Sequence, residues 1–68
     1  MQITVNGKTM DINNGELLSD FLYKKLSLSS DGYFAVEVNK FIVPRSQYHN
    51  TVLNANDNIE IIDFIGGG

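Results

Sequence analysis

One helix laid across a small mixed β-sheet, an α+β arrangement, is the fold class this chain predicts, and three observations predict it. Two alternating apolar runs flank Asn6-Gly7 near the start. An apolar stripe at spacings of three and four runs from Leu17 to Leu26. Three further short apolar or alternating runs follow, separated by polar turns. Alternation at period two marks a half-buried strand, and spacing near 3.6 marks a helix with one buried face.

The first strand is Met1 to Val5, with Met1, Ile3 and Val5 on one face and Gln2 and Thr4 on the other. Asn6-Gly7 suits a type I′ turn, which needs positive φ at both central residues. Lys8 to Ile12 alternates again, with Met10 and Ile12 inward, so the two runs form a β-hairpin. Asn13-Asn14-Gly15-Glu16 then punctuates the chain. Asn13 as N-cap with Glu16 three residues on has capping-box spacing, and Asn14 is the other available cap. The helix is expected over Glu16 to Leu26. Leu17, Leu18, Phe21, Leu22 and Leu26 form its buried stripe, and Glu16, Asp20 and Lys24 its wet side at i,i+4 spacing. Lys24 and Lys25 complement the dipole at its end, and the polar loop Ser27 to Gly32 stops it. Tyr23, Phe21 and Phe34 read as core or core-edge aromatics.

Phe34, Val36 and Val38 alternate with Ala35 and Glu37 to give a third strand. Asn39-Lys40 turns it into Phe41-Ile42-Val43, which Pro44 ends because it lacks a backbone donor. Ser46 to Asn50 fits one turn of 3₁₀ helix, Asn54 to Asn58 a polar turn, and Asn58 to Ile65 the last strand. The order is β-β-α-β-β-β. One helix crossing a mixed sheet is the economical way for so short a chain to bury a single core. That is the β-grasp, or ubiquitin-like, arrangement, with a folded domain over 1–65 and a flexible glycine tail over 66–68.

Size and composition narrow the function. Sixty-eight residues make one domain. A chain this short buries only about 60% of the surface its unfolded form exposes. It has little room for a catalytic pocket of the usual ~300–1,000 Å³, so a binding or carrier module is expected rather than a self-contained enzyme. There is no cysteine, which excludes disulfides, thiolate metal sites and a thiol nucleophile. A net charge of −3 argues against nucleic acid and anionic membranes and suits a protein partner with a basic docking surface. No apolar run approaches the ~20 residues of a membrane span, and no charged-then-apolar leader opens the chain; the expected location is the cytoplasm.

Gly66-Gly67-Gly68 carries the strongest functional signal. Glycine costs extra entropy to order, so a glycine run after an apolar strand does nothing for the fold. It does offer a thin, unbranched tail whose α-carboxylate can thread a narrow channel; a frayed terminus is the plain alternative. The last strand adds a second signal. Ile59, Ile61 and Asp63 share one face, which leaves Ile62 and Phe64 outward with Glu60. Either a bulge re-aims the strand, or Ile62 and Phe64 form an exposed apolar patch beside the tail. Arg45, on the loop after Pro44, is a further candidate for that surface. His49 has no partner at metal-ligand spacing, so no metal is expected. Asp11, Asp20, Asp31, Glu37 and Asp57 read as solvated charges with no acid/base pair among them. The glycines lack the helix and lysine of a phosphate loop.

With that element order, the segments Val36-Glu37-Val38-Asn39, Ile42-Val43-Pro44-Arg45 and Asp57-Asn58-Ile59-Glu60-Ile61, and the closing Gly-Gly, the sequence resembles the ThiS family over its whole length. The most specific parts are the Val-Pro-Arg segment and the glycine terminus. That family is the sulfur carrier of thiamine biosynthesis, and the resemblance implies a mechanism. The Gly68 carboxylate, with Gly67 as second glycine of the motif, is adenylated by a ThiF-type enzyme using ATP. Sulfur from a persulfide protein then replaces AMP, and the resulting thiocarboxylate serves a ThiG-type thiazole synthase. A thiocarboxylate needs no side chain, which suits a chain without cysteine. On this reading Ile62, Phe64, Ile65, Gly66 and Arg45 meet partners, no cofactor is bound, and the free protein is a monomer. A molybdopterin-type carrier, a ubiquitin-like protein modifier and a plain binding module remain alternatives that the sequence leaves open.

Overall fold

The computed structural model describes residues 1–63, and a five-stranded sheet runs through them. Strands β1 (Gln2–Val5) and β2 (Lys8–Asp11) form the expected hairpin, with Asn6 and Gly7 at φ of 48° and 83°. A helical segment follows, α1 (Leu18–Asp20) passing directly into a π-helical turn (Phe21–Lys25). Then come β3 (Phe34–Val38), β4 (Phe41–Val43), a 3₁₀ helix (Arg45–Asn50) and β5 (Asn58–Asp63). The spatial order is β2-β1-β5-β3-β4. β5 lies parallel to β1 and antiparallel to β3, so the last strand occupies the middle of the sheet. This is the β-grasp fold.

The helix departs from its expected span. The Leu18 N–H donates to the Thr51 carbonyl at 2.8 Å, and the Leu53 N–H donates to the Glu16 carbonyl at 2.8 Å. Leu17 is therefore extended, bridged to Val52, and the helix starts at Leu18 rather than Glu16. Backbone groups spent on a partner 35 residues away cannot also open a helix, and the Asn13–Glu16 capping box does not form; no side chain caps this start. Glu16 is correspondingly not on the wet side. Its side chain is only 7% exposed and pairs with Lys25 Nζ at 3.0 Å, leaving Oε2 without a partner. Asp20 and Lys24 do meet as i,i+4 neighbours, at 3.6 Å. At the other end the Leu26 N–H reaches the Phe21 carbonyl at 3.0 Å, one residue beyond the α spacing, and Ser27 at φ 58° turns the chain away.

The buried face of the helix brings Leu18, Phe21 and Leu22 onto Ile3, Val36 and Ile59 of the three central strands, all six fully buried. Leu53 and Tyr48 complete this core from the second half of the chain. Tyr48 stacks against Phe34, with ring centroids 6.4 Å apart, and meets Tyr23 at 6.5 Å. Burial pushes its phenol pKa up, with Arg45 opposing the shift and Tyr23 adding to it. Asp57 corrects a second expectation: it is buried, not solvated. Its carboxylate accepts from the Asn54 N–H at 2.8 Å and from Asn39 Nδ2 at 3.0 Å, which fixes the turn that launches β5. Among the described residues no helix is long and apolar enough to cross a membrane.

Candidate functional site

β5 is the element that leads to the glycines, and two asparagines hold it. Both sit in turns at positive φ, 48° for Asn6 and 53° for Asn39, a conformation asparagine tolerates better than most residues. Asn39 grips the start of the strand: its Oδ1 accepts from the Asn58 N–H at 2.9 Å, and its own N–H donates to the Asn58 carbonyl at 2.7 Å. Asn6 grips further along. Its N–H donates to the Ile59 carbonyl at 2.9 Å, and its Oδ1 accepts from the Ile61 N–H at 2.8 Å. Nδ2 returns to the Ile61 carbonyl at 3.4 Å. The side chain thus imitates one more residue of β1 and extends the parallel pairing after the hairpin has turned away. Both asparagines were legible only as turn residues, since a side chain that stands in for a strand leaves no mark in hydrophobic periodicity.

The pairing of β5 with β3 runs without interruption from Ile59↔Val38 to Asp63↔Phe34. No bulge re-aims the strand over these residues, and Phe64, the other member of the expected patch, lies outside them. Ile59 faces the core, and Ile62 turns to the opposite face, where it is 42% exposed. Ile62 lies across from Ala35, Glu60 across from Glu37, and Glu37 across from Ile42, which is 70% exposed. The outer face of the sheet therefore presents apolar side chains around two carboxylates.

Arg45 is exposed but engaged. Its guanidinium donates to the Ser30 and Gly32 carbonyls and lies over the Phe34 ring, 4.8 Å from the centroid. It ties down the loop between helix and β3. That loop walls a cleft of about 200 Å³ with Leu28, Gly32, Tyr33, Phe34, Ile61 and Asp63, next to the last described residue of β5. Phe64, Ile65, Gly66, Gly67 and Gly68 lie outside the described residues. His49 is exposed, and among the described residues no group of three or more His, Cys, Asp or Glu is placed to hold a metal ion.

A five-stranded sheet of this order, with its helix on one face and its last strand in the centre, leads directly to comparison with known proteins. The model of the ThiS family matches residues 3–68. The chain belongs to the ThiS family. Its fold agrees with the crystal structure of the thiamine biosynthesis protein ThiS from Geobacter metallireducens, with a TM-score of 0.82, 28% identity and full coverage of both chains. A solution structure of a thiamine biosynthesis protein from the same organism gives a TM-score of 0.73 and 32% identity, covering all of this chain and 88% of that one. The ycf40 protein of Porphyra purpurea, an uncharacterised relative, is 36% identical over 100% of this chain and 93% of its own length. A thiazole synthase from Paramagnetospirillum magneticum is 35% identical over this whole chain, which spans only 20% of that protein.

Proposed function

We propose that this protein is a sulfur carrier of thiamine biosynthesis, a co-substrate of other enzymes rather than a catalyst. The observation that carries the reading is the ThiS family match over residues 3–68, which includes the glycines themselves. The similarity to thiazole synthases adds to it. A segment resembling this entire chain makes up about a fifth of those proteins, which favours a thiazole synthase of the ThiG type as one partner.

The chemistry starts from a carboxylate. An α-carboxyl group has a pKa of about 3.3–3.7, so at neutral pH the Gly68 terminus is an anion and a poor electrophile. It attacks the α-phosphorus of ATP on a ThiF-type enzyme, releasing pyrophosphate and leaving an acyl-adenylate. A persulfide sulfur then attacks the acyl carbon and AMP departs. A second thiol cleaves the S–S bond of the adduct, leaving a thiocarboxylate on Gly68 and a disulfide. Each step needs the last residues to enter another protein's active site, and bare glycine backbone is the narrowest chain available. The fold contributes placement: β5 is held in the sheet centre by Asn39 and Asn6, and Ile62 faces outward where a partner can grip the strand. In sequence, Phe64, Ile65 and Gly66 stand between that strand and Gly67, and on this reading they meet the partner with it. Arg45, at the start of the 3₁₀ helix, contributes by holding the loop before β3 in place. ATP is the partner's substrate, and this chain holds no cofactor of its own.

Intact-protein mass spectrometry tests this. The chain is incubated with a ThiF-type adenylating enzyme, ATP and a persulfide donor. The expected product is the oxygen-for-sulfur mass increase, localised by fragmentation to Gly68. Gly67→Ala should slow conversion without changing the melting temperature, and deletion of Gly68 should abolish it. Sulfur appearing elsewhere, or full conversion of a chain lacking Gly67 and Gly68, would refute the proposal.

A further inference from the structure

We propose that Asn14 is a site of spontaneous deamidation, converted through a cyclic imide to aspartate and isoaspartate, and that the fold shields Asn6, which stands in the same Asn-Gly sequence, from that reaction. The modification does not depend on the carrier role of the chain.

The reaction needs a backbone nitrogen that reaches a side-chain amide carbon. The Gly15 nitrogen, losing its proton to hydroxide, attacks Cγ of Asn14. An N–Cγ bond forms, the Cγ–Nδ2 bond breaks, and ammonia leaves with a proton from water. Water then opens the five-membered imide at one carbonyl or the other, giving aspartate or isoaspartate. Water enters and ammonia departs, so no oxidant or reductant takes part. A Cβ on the following residue hinders the attack, and glycine has none. Asn6 and Asn14 are the two asparagines followed by glycine; every other asparagine precedes a residue with a Cβ.

The two turns treat their asparagines differently. Asn14 and Gly15 are exposed, in a turn closed by one bond, from the Glu16 N–H to the Asn13 carbonyl at 3.3 Å. Among the described residues the Asn14 side chain has no hydrogen-bond partner, and it does not cap the helix. The Gly15 N–H donates to nothing there, and no atom beyond its chain neighbours lies within 4 Å of the place a Gly15 Cβ would take. The amide is thus free to rotate towards the Gly15 nitrogen. Asn6 is exposed too, but held. Its Oδ1 accepts from the Ile61 N–H at 2.8 Å, its Nδ2 reaches the Ile61 carbonyl at 3.4 Å, and Val5 and Lys8 on either side of the turn are paired in the hairpin. Attack by the Gly7 nitrogen requires the Asn6 amide to leave Ile61 first, so only molecules with that clamp open react. One well-formed and one long hydrogen bond reduce that population about 5–30-fold.

Conversion of Asn14 takes the net charge one unit beyond −3. The new carboxylate stands at an open depression of about 460 Å³ that residue 14 lines together with Glu16, Asp20, Lys24 and Lys25. Both lysines already pair with acids, Lys24 with Asp20 and Lys25 with Glu16, and an added acid there competes for them. Isoaspartate also lengthens the main chain by one methylene just before Glu16, whose carbonyl accepts from the Leu53 N–H.

To test this, the full chain is kept in warm, mildly alkaline buffer, folded and in parallel unfolded in urea, and sampled by peptide mass mapping. The readout is the mass gain of an amide-to-acid change at each asparagine. In the folded chain Asn14 should convert first, into two products of equal mass that separate by chromatography, and Asn6 about 5–30-fold more slowly. In urea the two rates should come together, chiefly because Asn6 speeds up. Asn14→Gln cannot close a five-membered ring, so it should abolish conversion at that position and leave the melting temperature unchanged. Equal rates in the folded chain, or Asn6 reacting first, would overturn the shielding. A rate ratio that persists in urea would trace the difference to flanking residues and overturn it too. An Asn14 that converts in urea but not in the folded chain would overturn the assignment of the site.

Discussion

Replacing Asn6 by glycine separates the two tasks of that residue. Glycine adopts the φ of 48° without strain, so the turn and the backbone bond to Ile59 survive, and only the side-chain clamp on Ile61 is lost. A typical hydrogen bond contributes about 0.5–1.5 kcal/mol net. The clamp has one well-formed bond at 2.8 Å and one at the long limit, 3.4 Å, so its loss should cost about 1–2 kcal/mol. Global unfolding mixes this with the entropy that an added glycine gives the unfolded chain. Amide hydrogen exchange at Ile61 is the cleaner assay, with the Thr4 amide, bonded to the Asp57 carbonyl at 2.9 Å, as internal reference. The Ile61 protection factor should fall about 5–30-fold relative to that of Thr4, the ratio corresponding to 1–2 kcal/mol. Asn6→Asp retains an acceptor and should preserve most of the protection. Asn6→Ala should lose the same protection and in addition destabilise the whole domain by about 1–2 kcal/mol, because alanine resists positive φ. Unchanged Ile61 protection in the glycine variant would show that the side chain does not hold β5.

Two further predictions concern the core. Leu22 is fully buried, and Leu22→Ala should cost about 2–5 kcal/mol, read from the urea midpoint. A domain of this size has only about 3–10 kcal/mol in total, so much of the population should unfold near body temperature; an unchanged midpoint would contradict the helix packing. Tyr48 sets an alkaline limit. Its pKa is raised in the folded state, chiefly by burial, so its stabilising contribution is complete below the unfolded value of about 10 and is lost as pH rises through the folded value. Unfolding free energy should therefore decline above about pH 10, and Tyr48→Phe should flatten that decline; an equally steep fall in the variant would place its cause elsewhere.

The strands and turns were legible because their causes are local. Asn6-Gly7 takes the expected positive φ, Asn39-Lys40 is the expected turn, and Arg45–Asn50 is the expected 3₁₀ turn, one residue longer at its start. The helix starts at Leu18 rather than Glu16 for the opposite reason. Asn13 and Glu16 have the spacing of a cap, but residues 16 and 18 bond to 51 and 53, and nothing in a local window reports a partner that far along the chain. Asp57 could have been found: an aspartate three residues after Asn54 in a polar turn is placed to accept from the backbone N–H there, as it does.

The outer face of the sheet shows where reading by period reaches its limit. Alternation alone placed Ile62 outward but left a bulge available, and only the register with β3, unbroken to Asp63, excludes one among the described residues. The same register creates the one feature no periodicity could contain. Glu37 and Glu60 are separated by 23 sequence positions, and each read alone is an ordinary solvated carboxylate. Pairing sets them face to face, between two exposed isoleucines, on the strand that leads to the glycines. A small domain with a thin core gains nothing for its own stability from that arrangement.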